Sequence, residues 1–220
     1  MSNSDNGSNG VFGVNIWWTC PEFVLDGKVA HEILEKHGFE PDDDMPLPSR
    51  RNVVSRAAHS FQDRRHKNGR HVTEKAKDNS SCVVYGILGR EKVGDDEVGY
   101  SQNTTVKLDK ESGRVEVSGE LSEEFGKALG KYEESITDVD VRAFLRKVIT
   151  LSKGVSKRPS GGIYFVPQQY TTMIEDAQRV LADLKVGAKL YVERVVNGVQ
   201  EREIVWESVE REIGESIDST

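Results

Sequence analysis

Residues 11–18 read Val-Phe-Gly-Val-Asn-Ile-Trp-Trp, a run dominated by β-branched and aromatic side chains. Such a run suits a strand buried on both faces, and it commits the start of the fold to a sheet. Asp26 is placed to cap a following helix. Val29, Ala30, Ile33, Leu34 and His37 share one face of that helix, and Gly38 with Phe39 closes it.

The same logic carries down the chain. Ser49 caps a second helix whose core stripe is Val53, Val54, Ala57, Ala58 and Phe61, fading near Asn68-Gly69. Residues 69–81 show no period and read as a loop. Strands follow at 82–88, at 97–108 as one long strand or two short ones, and at 114–118, with a glycine-containing loop at 109–113. Two helices come next. The first contains Gly126 and Gly130, each weakening it by about 1 kcal/mol relative to alanine. Thr137 caps the second. A short strand at 163–166 ends at Pro167. Thr172 and Glu175 form a capping box for a helix with Ile174, Ala177, Val180, Leu181 and Leu184 on its stripe. Asn197-Gly198 predicts a hairpin joining strands 189–196 and 199–206, with an acidic helix or tail over 207–220.

Strands and helices segregated in this way predict an α+β fold with a mainly antiparallel sheet and helices packed on one side. A β-α-β-β order can be read in each half. Residues 1–10 read as a disordered start, and 11–206 as one α+β domain with a lobe division near Leu121. No apolar run reaches the ~20 residues of a membrane helix. The polar start does not resemble a secretory signal, so the expected location is the cytoplasm, or the host cytoplasm for a viral protein. Cys20 and Cys82 are too few for a disulfide framework or a four-cysteine zinc site.

Charge is unevenly distributed. Residues 50–77 hold nine Lys or Arg and two acids, a local +7, in a chain of formal charge -7. The remainder therefore carries -14. Cations grouped on one segment can neutralise phosphates, whereas Phe61, its one aromatic, belongs to the core, so base stacking is not expected there. The expected contacts are Arg56, Arg64, Arg65, Lys67 and Arg70, with His59 and His66. The competing reading is a solvated face, or a face held by the chain's own carboxylates. His59, Asp63 and His66 have helical spacing for a metal, but the surrounding cations disfavour one. No metal and no cofactor is expected.

A second candidate is the turn before the short strand. Lys157 and Arg158 are suited to holding a phosphate, while Gly161 and Gly162 let the backbone approach a ligand closely. There is no P-loop spacing, and the favoured reading of the glycines is a tight turn opening a buried strand.

The segments SGGIYFVP (160–167) and PLPSRRNVVSRA (46–57) resemble those of a domain family of unknown function found in phages and other mobile elements. The resemblance covers 11–206, with Gly-Gly-Ile-Tyr-Phe-Val-Pro as its most distinctive piece. It implies an accessory protein of a virus or mobile element and brings no catalytic residue.

The sequence thus favours a non-enzymatic binding protein whose basic helix-loop engages nucleic acid or an acidic protein surface, with no membrane partner. Two alternatives stay open: an enzyme of phosphate-bearing small molecules, and a structural subunit of a larger assembly.

Overall fold

The computed structural model describes residues 10–62, 71–92, 98–158, 161–196 and 198–218. In chain order the first elements are β1 (Val11–Thr19), β2 (Val24–Asp26), α1 (Gly27–Lys36), α2 (Pro41–Asp44), α3 (Arg50–His59), β3 (His71–Asp78), β4 (Cys82–Lys92) and β5 (Val98–Asp109). They continue with β6 (Val115–Gly119), α4 (Ser122–Glu133), β7 (Ser135–Thr137), α5 (Asp138–Leu151), β8 (Val155–Ser156), β9 (Tyr164–Pro167), α6 (Thr171–Leu184), β10 (Lys189–Val196) and α7 (Val199–Asp218). The class is α+β, and both four-stranded sheets are antiparallel. Two compact units contain these elements: Met1–Pro46 with Thr137–Thr220, and Leu47–Ile136.

The Leu47–Ile136 unit is a meander, β3-β4-β5-β6, carrying α3 and α4. Val54, Ala57 and Ala58 of α3 and Phe125 of α4 bury against Val83, Tyr85, Ile87, Val106 and Leu108. The Ser49 hydroxyl accepts from the Asn52 amide and caps α3 as its sequence implies. This helix stops at His59, well short of Asn68-Gly69. Its last carbonyls are taken by side chains: Ser60 Oγ donates to Ala57 O at 2.7 Å and Thr73 Oγ1 to Ala58 O at 2.8 Å.

Residues 71–78, expected to be a loop, form the edge strand β3. Only Thr73 of that strand is buried, and charged side chains occupy most of the rest. An edge strand protected by charge lacks the apolar alternation by which strands are recognised.

In the other unit the sheet order is β10-β1-β9-β8. The central strand β1 pairs with β10 on one side and β9 on the other, as its apolar run implies. Val14, Ile16, Val166 and Leu190 are buried on one face, and α6 packs there with Ile174, Ala177, Val180, Leu181 and Leu184 buried along its stripe. The opposite face buries Phe165 and Val195 beneath Val205, with Phe12, Val155 and Val209 packed around them. Gly13 lies on this second face. A Cβ there would sit 2.4 Å from Val166 O and 2.6 Å from the Phe165 ring, so the close approach of strand and ring requires glycine. Asp26 caps α1, and Thr137 with Asp140 forms a capping box at α5.

Two expectations fail here. Residues 199–206 continue into α7 and are not the second arm of a hairpin. β10 takes β1 as its partner, and Gln200, Arg202 and Glu203 favour a helix that delivers Val205 and Val209 to one face. Thr172 is not a cap. The 3-10 turn Gln168–Tyr170 runs directly into α6, and Thr171 Oγ1 bonds back to Gln168 O at 2.8 Å.

Candidate functional site

The second sheet face is only partly covered by α7. Beyond Phe165 and Val195 it continues along β1 and β10 through Asn15, Trp17, Tyr191 and Glu193. Asn15 stands opposite Glu193, and Trp17 opposite Tyr191, so all four side chains share this face. Trp17 and Tyr191 stack with centroids 5.4 Å apart and planes 9° from parallel. Trp18 points the other way and stacks on Tyr164 at 5.6 Å. The adjacent tryptophans therefore face opposite sides of the sheet, and both are half-buried.

The loop from β8 to β9 rises beside this face. Ser156 pairs with Tyr164, and the Lys157 amide donates to Ile163 O at 2.9 Å, closing the hairpin. The Gly161 amide donates to Arg158 O at 2.9 Å. Gly161 and Gly162 have φ of 73° and 96°, a conformation that L side chains rarely adopt. That is why two glycines stand here. A Cβ on Gly162 would have nothing within 4 Å, so the backbone is bare toward open space. From below, Arg211 of α7 donates to Ser156 O and ties the hairpin to the helix.

Between loop and sheet lies a cleft of about 630 Å³ lined by Asn15, Trp17, Lys157, Arg158, Gly162, Ile163 and Glu193. That volume falls within the range of small-ligand sites. Lys157 and Arg158 form no ion pair among the described residues, and Arg158 is exposed. Asn15 Nδ2 donates to Glu193 Oε2 at 3.4 Å. Asn15 Oδ1 is buried with no hydrogen-bond partner. Turning the amide over does not help, because Oδ1 would then face the Glu193 carboxylate. The cleft thus offers an aromatic surface, two cations that form no ion pair among the described residues, a bare glycine backbone and one carboxylate.

The expected phosphate turn, Lys157, Arg158, Gly161 and Gly162, is therefore at the rim of a cleft. Asn15, Trp17 and Glu193 were missed by the sequence reading. The one available signal was Asn15 itself, a polar residue inside an otherwise apolar central strand.

The basic segment looks different. Arg50 Nη1 contacts Glu133 Oε1 at 2.6 Å, Arg51 Nη2 contacts Asp78 Oδ2 at 2.7 Å, and Lys75 Nζ contacts the same oxygen at 3.1 Å. Hydrogen bonds from Lys110 and then Lys75 lower the Asp78 carboxyl from 3.8 to about 2. Arg56 Nη1 donates to Ser135 O at 3.2 Å. His59 Nδ1 lies 2.7 Å from Ser55 O, with its ring edge-on to Tyr85. Arg64, Arg65, His66, Lys67 and Arg70 lie outside the described residues, as does Asp63. Cys20 and Cys82 are free thiols. Among the described residues no group of three His, Cys, Asp or Glu is arranged to hold a metal ion, and no helix is long and apolar enough to cross a membrane.

A family profile matches residues 11–220, nearly the whole chain. The chain belongs to DUF6744, a family of unknown function. No curated protein and no solved structure matches it. The DUF6744 match spans both units and includes every residue lining the cleft.

Proposed function

We propose that this DUF6744 chain is a non-enzymatic binding protein whose β8–β9 cleft takes a small ligand combining a flat ring with a phosphate-like anion. One observation carries the reading: Lys157 and Arg158, which form no ion pair among the described residues, line a cleft walled by Trp17. A ring on the indole gains stacking and desolvation, while Lys157 and Arg158 supply charge-assisted hydrogen bonds to the anion. The sequence of α7 is predominantly acidic, and a net negative helix on this sheet face disfavours a long polyanion more than a small ligand. Calorimetric titration of the full chain with nucleoside monophosphates tests the reading. Saturable binding that is lost in the double variant Lys157→Ala, Arg158→Ala supports it. No heat from any ring phosphate, with the protein folded, rejects it.

The +7 of residues 50–77 supports a second reading, a face for nucleic acid or an acidic protein surface in an accessory protein of a phage or mobile element. Arg50, Arg51 and Lys75 are already held by Glu133 and Asp78, so this reading rests on Arg64, Arg65, Lys67 and Arg70. Reversing Arg64, Arg65 and Lys67 to Glu should abolish binding to DNA or RNA at low salt and leave the thermal midpoint nearly unchanged. Absence of such binding in the unaltered chain eliminates the nucleic-acid form.

A further inference from the structure

The cleft contains more than a ring surface and cations. Glu193 sits diagonally from Trp17 on the same sheet face, one pair along from Tyr191. Diagonal neighbours of this kind lie about 7–8 Å apart, comparable to the length of a fused two-ring base. Glu193 is exposed and makes no ion pair among the described residues. Its contact with Asn15 occupies Oε2 only, through a long hydrogen bond of 3.4 Å. The wall at the far end of the ring surface is therefore an acceptor. A carboxylate has two oxygens and no proton to give at neutral pH, so it selects a ring edge presenting two adjacent N–H donors. Asn15 stands beside Glu193 and donates to it through Nδ2, while its own Oδ1 is buried without a hydrogen-bond partner among the described residues. On the other side of β1, where β8 and β9 lie in the sheet order β10-β1-β9-β8, Lys157 and Arg158 are donors only. The two ends of the cleft thus have opposite polarity, with the Trp17 indole between them.

Resting on the ring-phosphate reading above, we infer that the ligand is a guanine-type nucleotide. Its N1–H and exocyclic amino group would face Glu193, its ring would lie on Trp17, and its phosphate would meet Lys157 and Arg158. Adenine presents a single amino donor beside a ring acceptor, and that acceptor would be set against the carboxylate. Hypoxanthine keeps N1–H and lacks the amino group, so it falls between the two. A carboxylate left facing a ring acceptor loses a charge-assisted bond, which separates guanine from adenine by about ten-fold or more in affinity.

The test is calorimetric titration of the full chain with GMP, IMP and AMP, repeated on Glu193→Gln. Glu193 is exposed, and far-UV circular dichroism checks that the variant stays folded. The expected order is GMP tightest, IMP intermediate and AMP weakest, with GMP and AMP converging in Glu193→Gln. Asn15→Ser should weaken GMP in the same direction. Equal affinities for GMP and AMP in the unaltered chain, or an unchanged GMP preference in Glu193→Gln, overturn the guanine inference and leave the ring-phosphate reading standing. No binding of any of the three overturns both.

Discussion

Trp17 and Tyr191 face each other across β1 and β10 with rings 5.4 Å apart, on the part of the sheet face that α7 leaves uncovered. Stacked pairs of this kind are ordinary inside cores. Here the pair is half open, and Tyr191 is 37% exposed. Aromatic surface at the wall of a cleft, beside two cations that form no ion pair among the described residues, is surface for a planar ligand.

Trp17→Ala should weaken GMP binding by about 1–3 kcal/mol, the scale of one base–aromatic stack. Trp17→Phe should recover much of the loss. Fluorescence is a poor readout because Trp18 and Trp206 also emit, so calorimetry with a folding check is preferred. Unchanged affinity in Trp17→Ala removes the indole from the site.

Asn15 sets stability against binding. Its Oδ1 is buried without a partner, a situation that costs about 1–3 kcal/mol. Asn15→Val removes the orphaned oxygen and places a β-branched residue, favoured in strands, in the central strand. The expected outcome is a higher urea midpoint with weaker ligand binding. A lower midpoint would show that the 3.4 Å bond to Glu193 outweighs the orphan.

Glycines at three positions should respond in opposite directions. Gly126 and Gly130 are exposed in α4 with nothing within 4 Å of an added Cβ, so alanine at each should add about 1 kcal/mol. Gly13→Ala drives a methyl into Val166 O and the Phe165 ring and should cost about 1–3 kcal/mol. Urea unfolding of the three variants decides. A destabilised Gly126→Ala would show that another surface packs on α4.

Acid should loosen the protein through two carboxylates. Asp78 is lowered from 3.8 to about 2 by hydrogen bonds from Lys110 and Lys75, and Asp183 from 3.8 to about 2 by those from Lys36 and His37. A carboxyl held below its unfolded value stabilises fully above that value, and the contribution disappears as pH falls through the folded one. The loss therefore runs from about pH 4 down to about pH 2. Asp78→Asn and Asp183→Asn should each lower stability at neutral pH and flatten that acid limb. An acid limb as steep in both variants as in the unaltered chain contradicts the assignment.

Much of the fold was legible because local chemistry and tertiary packing agree. The apolar run of β1, the Asp26, Ser49 and Thr137 caps, and the stripe of α6 all appear where their side chains place them. The sequence reading fails where a distant partner decides. β10 pairs with a strand from the opposite end of the chain, which leaves residues 199–206 free to become helix despite the Asn197-Gly198 signal. β3 was illegible because its charges guard an edge. The cleft was half legible. Lys157, Arg158 and the two glycines lie together in sequence, whereas Trp17, Asn15 and Glu193 join them only through strand register.

The most direct test of the cleft is a titration of the isotope-labelled full chain with GMP, followed by amide and indole NMR shifts. The account predicts saturable changes concentrated on the Trp17 indole N–H, the Asn15 side-chain amide and the Gly161 and Gly162 backbone amides. An absence of change at millimolar GMP, or changes confined to residues 50–77, would contradict it.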